Sequence, residues 1–117
     1  MRAHSNIRRF KLSEAFIEPY KTREVPWGPL GYVTFKRTYA RRLSEFEPDA
    51  TGTEEWWQTC RRVIDAMFDM QKQHVYFLGL EWNDSKAQAT AKDAYDRLFN
   101  LKWTPPGRGL WMMGTKF

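Results

Sequence analysis

The sequence predicts a mainly α-helical fold in one domain, and three observations predict it. The stretch 51–74, TGTEEWWQTCRRVIDAMFDMQKQH, places large apolar side chains in a helical rhythm. The stretch 86–102, KAQATAKDAYDRLFNLK, repeats that rhythm behind a polar cap. The chain has 117 residues, the length of one ordinary domain, enough to bury about two thirds of its unfolded surface.

The N-terminus is basic. Residues 1–42 hold ten Lys and Arg against three acids, whereas the remainder holds nine against eleven, so the net charge of +5 is an N-terminal property. Arg2, Arg8, Arg9 and Lys11 form a loose cluster, read as a solvated arm, with an anionic ligand, nucleic acid or an acidic protein face as its alternatives. KLSEAFIEPY then shows helical spacing at Leu12, Ala15, Phe16 and Ile17, and Pro19 sets its end because proline disfavours helical geometry in the residue before it. VPWGPLG is dense in proline and glycine and reads as a turn or extended connector.

Val33, Thr34 and Phe35 favour a strand, but Tyr32, Phe35, Tyr39 and Leu43 recur at steps of three and four, and that longer pattern predicts a helix. SEFEPDATG is a polar loop. The long helix follows, capped by Thr51 with Glu54 or by Thr53 directly. Its stripe comprises Trp56, Trp57, Cys60, Val63, Ile64, Met67 and Phe68. Burying it is worth on the order of 10 kcal/mol before entropy is charged, so the helix must lie on a partner surface. HVYFLGLEW is either a buried strand or an extension of that helix. In the next helix Ala87, Ala91, Ala94, Tyr95, Leu98 and Phe99 share a face, and its small residues admit close approach. TPPGRGLWMMGT closes the sequence as a tight turn, with Leu110, Trp111 and Met112 suited to an extended buried segment.

The catalytic inventory is thin. His4 and His74 are far apart, and one cysteine allows neither a disulfide nor CxxC spacing, which argues against zinc and for a reducing compartment. Cys60 falls inside the apolar stripe, where a thiol packs as a small hydrophobe. Glu54/Glu55 and Asp65/Asp69 read as solvated helix positions. Arg37 with Arg41 is a candidate anion clamp, or Arg37 pairs with a structural carboxylate. No phosphate-binding glycine motif is present, and no apolar run approaches the roughly 18 residues that span a bilayer.

Two motifs carry a resemblance. WGPLGYVTFKRTYARRL (Trp27 to Leu43) and TPPGRGLWMMGT (Thr104 to Thr115) are similar to the N-terminal region of adenosylcobalamin-dependent, class II ribonucleotide reductases, the monomeric ribonucleoside-triphosphate reductase type in particular. The similarity runs from about Phe10 to Phe117. It implies a helical N-terminal region (1–103), then a turn and the start of a first strand (104–117) leading into a ten-stranded α/β barrel absent from this chain. In that family a cysteine thiyl radical generated from adenosylcobalamin attacks the ribose, and a cysteine pair restored by thioredoxin or a similar dithiol completes the reduction of a ribonucleotide substrate.

The cysteines of that chemistry fall beyond Phe117, and Cys60 matches none of them. No ATP-cone signature is present, so overall-activity regulation is not implied. The resemblance assigns no catalytic, cofactor-binding or metal-binding residue to this chain. It does place Thr104, in Thr104-Pro105, near the substrate phosphates, the rival reading being that Thr104 only starts the turn. The expected role is cytoplasmic scaffold, inactive alone, with Arg37, Arg41, Trp56 and Trp57 holding the remainder of the reductase chain and no membrane partner. The rival function is a small basic helical protein binding a protein partner or nucleic acid, with Tyr32, Phe35, Lys36, Arg37, Tyr39 and Arg41 stacking on bases and neutralising phosphates.

Overall fold

The computed structural model describes residues 8–27, 31–105 and 107–115. Arg2 and His4, residues 28–30 of the connector, Pro106 and the last two residues lie outside the described set. Five α-helices occur in the described residues: α1 (Glu14–Ile17), α2 (Gly31–Thr38), α3 (Trp56–Phe77), α4 (Asp84–Phe99) and α5 (Gly107–Met112). Short 3-10 turns occupy Glu18–Lys21 and Leu43–Glu45. Among the described residues there is no strand, only an isolated antiparallel bridge between Arg42 and Thr53.

The frame is the α3–α4 hairpin. Helix α3 is capped by Glu55, whose N–H donates to Gln58 Oε1 at 2.7 Å, so the cap lies two to four residues later than Thr51 or Thr53. Its 22 residues span about 33 Å. The stripe buries as expected, with Trp56, Cys60, Val63, Ile64 and Phe68 in the core. HVYFLGLEW resolves as a helix extension to Phe77. The chain then turns at Gly79, where φ is +76° and the Leu80 and Gly79 amides donate to Val75 O and Tyr76 O. Asn83 Oδ1 caps α4 by accepting from the Lys86 N–H at 3.1 Å. Ala87 and Ala91, both buried, let α4 pack closely on α3, and Tyr95, Leu98 and Phe99 complete that interface.

Helix α4 ends in the same kind of motif as α3, but Leu101 holds the left-handed position with φ of +61°. Its N–H donates to Leu98 O and that of Lys102 to Arg97 O. A leucine here carries a backbone cost of about 1–2 kcal/mol, which its packing against the core offsets.

The N-terminal segment lies in the groove of this hairpin. Phe10 and Leu12 are buried at 2% and 1% exposure. Their amides donate to Asp69 Oδ1 and Asp65 Oδ1 of α3, both at 2.9 Å. On the other side Gln88 of α4 donates to Lys11 O at 2.6 Å and accepts from the Ser13 N–H at 3.2 Å. Two helices thus satisfy alternate faces of one extended segment, and the Asp65/Asp69 pair, expected to be solvated, is structural. Helix α1 follows and continues through Pro19 as a 3-10 turn. Tyr20 there donates its hydroxyl to Asp96 Oδ1 at 2.5 Å and stands edge-on to Tyr95 and Phe99.

Helix α2 stops at Thr38, so Tyr39 and Leu43 fall outside it. Phe35 is its buried residue and meets Trp56 edge-on at 5.2 Å, with Trp27 packed on both. Gly31 is needed here, because a Cβ would stand 2.6 Å from Trp27 Cβ.

Leu110, Trp111 and Met112, expected to be extended, form α5 instead. The helix packs on α3, and the next turn places Gly114 against it. At Gly114 φ is +75°, and a Cβ would stand 2.8 Å from Arg62 Cγ and 3.1 Å from Arg62 O. Gly114→Ala therefore combines a left-handed backbone penalty with a clash against helix backbone. It is expected to cost about 2 kcal/mol, read as a lower urea midpoint at unchanged slope. A cost below about 0.5 kcal/mol contradicts that packing.

Candidate functional site

Three segments meet at the start of α3. Glu54 is 2% exposed and directly precedes the helix, and its carboxylate is fully engaged. Oε1 accepts from the Arg41 N–H at 3.0 Å, from Thr59 Oγ1 at 2.8 Å and from Arg62 Nη2 at 3.0 Å, while Oε2 accepts from Arg62 Nε at 2.9 Å. This fork to fork geometry is the strong form of an ion pair. Arg62 does more: Nη1 donates to Met113 O at 2.5 Å and Nη2 to Leu110 O at 2.6 Å. Those carbonyls belong to the end of α5, where helix acceptors lack internal partners and a cation is favourable.

Arg41, 2% exposed, lies over Trp111 with its guanidinium carbon 4.0 Å from the ring centroid and donates from Nη2 to Glu45 Oε1 at 2.6 Å. Helix α5 is thus gripped on its face by Arg41 and at its end by Arg62, and one buried carboxylate organises both.

Beside this hub a cleft of about 710 Å3 opens between the N-terminal segment, α3 and the 43–50 loop. Arg9, Phe46, Trp57, Arg61, Met70 and Thr115 are among its walls. Arg61 pairs with Glu14 at 2.7 Å and with Asp65 at 3.5 Å. This pairing holds the Glu14 carboxyl below its ordinary range, chiefly through the Arg61 hydrogen bond and charge. Burial pushes Asp65 up to about 6, against the Leu12 N–H and Arg61, which both lower it. Cys60 is sealed in the core, and burial, then the Glu54 charge, raises its thiol well above the usual range. A thiol so held is inert, as the sequence implies.

The Asp65 shift predicts a pH dependence. A folded-state value near 6 against an ordinary 3.8 means that the fold binds this proton more tightly than the unfolded chain does. The contribution is complete below about pH 4 and is lost as pH rises through about 6, a change of roughly 2–3 kcal/mol. Asp65→Asn keeps an acceptor for the Leu12 N–H and removes the charge. Urea unfolding between pH 4 and 7 should show the wild type losing about that much relative to the variant, and parallel curves contradict the assignment.

Thr104 is exposed on the link between α4 and α5 and does not line the cleft. Of the residues expected to face an outside partner, Arg37 is exposed and Trp57 half-buried, whereas Arg41 and Trp56 are internal. Trp56 Nε1 donates to Phe99 O at 3.0 Å, so both side chains are spent within this fold. The stacking set fares similarly: Phe35 and Arg41 are buried, and Lys36 Nζ is tied to Thr53 O and Glu54 O. These residues form no single exposed face. Of the hub residues, the sequence marks Glu54 only as a capping partner of Thr51 or a solvated helix position, and the structure buries it instead; Arg62 carries no assignment of its own in the sequence. The missed signal is that Arg62 lies between Thr59 and Ala66, small side chains one turn away on either side, which leave room for a buried guanidinium.

Among the described residues no three His, Cys, Asp or Glu side chains group to hold a metal ion, and no helix is long and apolar enough to cross a membrane.

The segment that holds this helical frame and its arginine-anchored α5, residues 12–115, matches the family model described as ribonucleotide reductase alpha domain. The chain belongs to that family. Its relatives include a probable adenosylcobalamin-dependent ribonucleoside-triphosphate reductase of Dictyostelium discoideum, 39% identical over 93% of this chain. The adenosylcobalamin-dependent ribonucleoside-triphosphate reductase of Euglena gracilis is 39% identical over 92%. A crystal structure of a B12-dependent, class II ribonucleotide reductase superimposes with a TM-score of 0.75 at 32% identity over 92% of this chain. The chain spans 14% of the length of each of these three proteins.

Proposed function

We propose that this chain is the N-terminal part of an adenosylcobalamin-dependent ribonucleoside-triphosphate reductase, a helical scaffold that is inactive alone and works in the cytoplasm with the remainder of the enzyme. The observation that carries the reading is the match of nearly the whole chain, at 39% identity, to 14% of proteins so named. The residues present do not fit the cofactor or the radical chemistry. Cys60 is buried and alone, and Glu14, Glu54, Arg61, Arg62 and Asp65 at or beside the cleft are committed to one another and to backbone groups. Adenosylcobalamin, the cysteines, the ribonucleotide and the thioredoxin-type reductant therefore belong to the remainder.

In this reading the segment 104–117, expected as a turn and the start of the first barrel strand, leads through α5 toward that strand, and Thr104 contacts a substrate phosphate. Its exposure supports that role, since a hydroxyl outside the core is free to donate to an incoming oxygen.

The test is a chimaera in which residues 12–115 replace the matching segment of the Dictyostelium relative. It is expected to form deoxynucleotides from ribonucleoside triphosphates only with adenosylcobalamin and a dithiol, while the 117-residue chain alone forms none. Thr104→Ala in the chimaera is expected to raise KM about tenfold, the cost of one hydrogen bond to a charged group. A folded chimaera without turnover, beside an active parent, overturns the assignment; an unchanged KM removes Thr104 from the substrate site.

A further inference from the structure

We propose that Glu54 and Arg62 are positioning residues. Together they latch α5 onto α3, and so fix both the turn that carries Thr104 and the course of the chain at Gly114 and Thr115. The inference rests on the reductase reading for its functional half, and on geometry alone for its structural half. Helix α5 has only six residues, too few to be stable by itself. Its last carbonyls are held from α3 by one guanidinium, at 2.6 Å to Leu110 O and 2.5 Å to Met113 O. That guanidinium is 6% exposed and is held by a carboxylate that is 3% exposed.

Close contacts fix the helix at both ends, the latch at one of them. At the far end Gly114 lies against the Arg62 backbone with no room for a Cβ. At the near end Gly109 lets Pro105 lie against α5, since a Cβ there would stand 3.2 Å from Pro105 Cβ. Thr104 is the residue before that proline, so its place follows the placement of α5. A lysine at 62 could balance the Glu54 charge but not span it and two carbonyls, which is the work of a planar fork.

Arg62→Lys removes the fork and keeps the charge; Glu54→Gln keeps the shape and removes the charge. In the 117-residue protein both are expected to speed hydrogen exchange at the Met113 and Thr115 amides about tenfold or more beyond whatever acceleration the loss of global stability produces at Val63, Ile64 and Leu98. Phe68→Leu, which weakens the core near Phe10, is the comparison, and should not single out α5. In an active chimaera, well below its melting temperature, Arg62→Lys is expected to raise KM for the triphosphate about fivefold with Phe68→Leu unchanged.

Wild-type exchange at Met113 and Thr115 in both variants overturns the latch. So does acceleration of the Met113 and Thr115 amides by no more than that of Val63, Ile64 and Leu98, and so does an equal change of KM in Arg62→Lys and Phe68→Leu. An inactive chimaera contradicts the reductase reading instead, and the exchange pattern then decides the latch by itself.

Discussion

Glu54→Ala is expected to lower the stability of the folded chain by about 3–5 kcal/mol, because it strands the Arg62 guanidinium, 6% exposed, without its counter-ion. The same change leaves the Arg41 N–H and the Thr59 hydroxyl without their acceptor. At this chain length 1 kcal/mol corresponds to about 4 °C, so the melting temperature should fall by roughly 12–20 °C. Arg62 loses the carboxylate that aims it, and α5 should loosen before the α3–α4 hairpin melts.

A second variant separates the charge from the packing. Glu54→Leu combined with Arg62→Met removes both ions, and should recover much of the loss, because two apolar groups leave no buried charge behind. It should not recover all of it, since Leu110 O and Met113 O still lack a donor. A double variant as stable as the wild type would mean that the α5 carbonyls contribute nothing. A single Glu54→Ala loss below about 1 kcal/mol would mean that the pair is solvated rather than buried.

The contrast between the legible and the illegible parts of this sequence has a physical cause. Helices α3 and α4 were legible because their apolar positions repeat over several turns, and a long periodic run leaves one face to bury. Helix α5 was not: Leu110, Trp111 and Met112 are too few to distinguish helix from strand, and what makes them helical lies about 50 positions away, in Arg62. Asp65 and Asp69 have the spacing of an exposed face, yet their donors are backbone amides of Leu12 and Phe10, which have no sequence signature. Arg41 looked like an anion clamp because nothing near it in the chain announces Trp111. The family was legible where the fold details were not, since the motifs that carry it span both the α2 segment and α5.

Trp56→Ala is the second large effect, again about 3–5 kcal/mol, from a different source. The indole is 5% exposed and fills the space between Trp27 and Phe35, each at 5.2 Å between ring centroids. Truncation leaves a cavity that two rings on a short helix and a connector cannot easily close. It also removes the donor to Phe99 O, a carbonyl at the last residue of α4 that has no partner within its own helix. Trp56→Phe isolates the second part. It keeps a ring and loses the N–H, so it should cost about 1–2 kcal/mol, and the difference between the two variants measures the cavity. Helix α2 reaches the frame mainly through this aromatic cluster, so near-ultraviolet dichroism from Trp27 should weaken in the alanine variant while the helical signal of α3 and α4 persists. If the alanine and phenylalanine variants are equally stable, the cluster is not what fastens α2, and the Lys36 bonds to Thr53 O and Glu54 O must hold it instead.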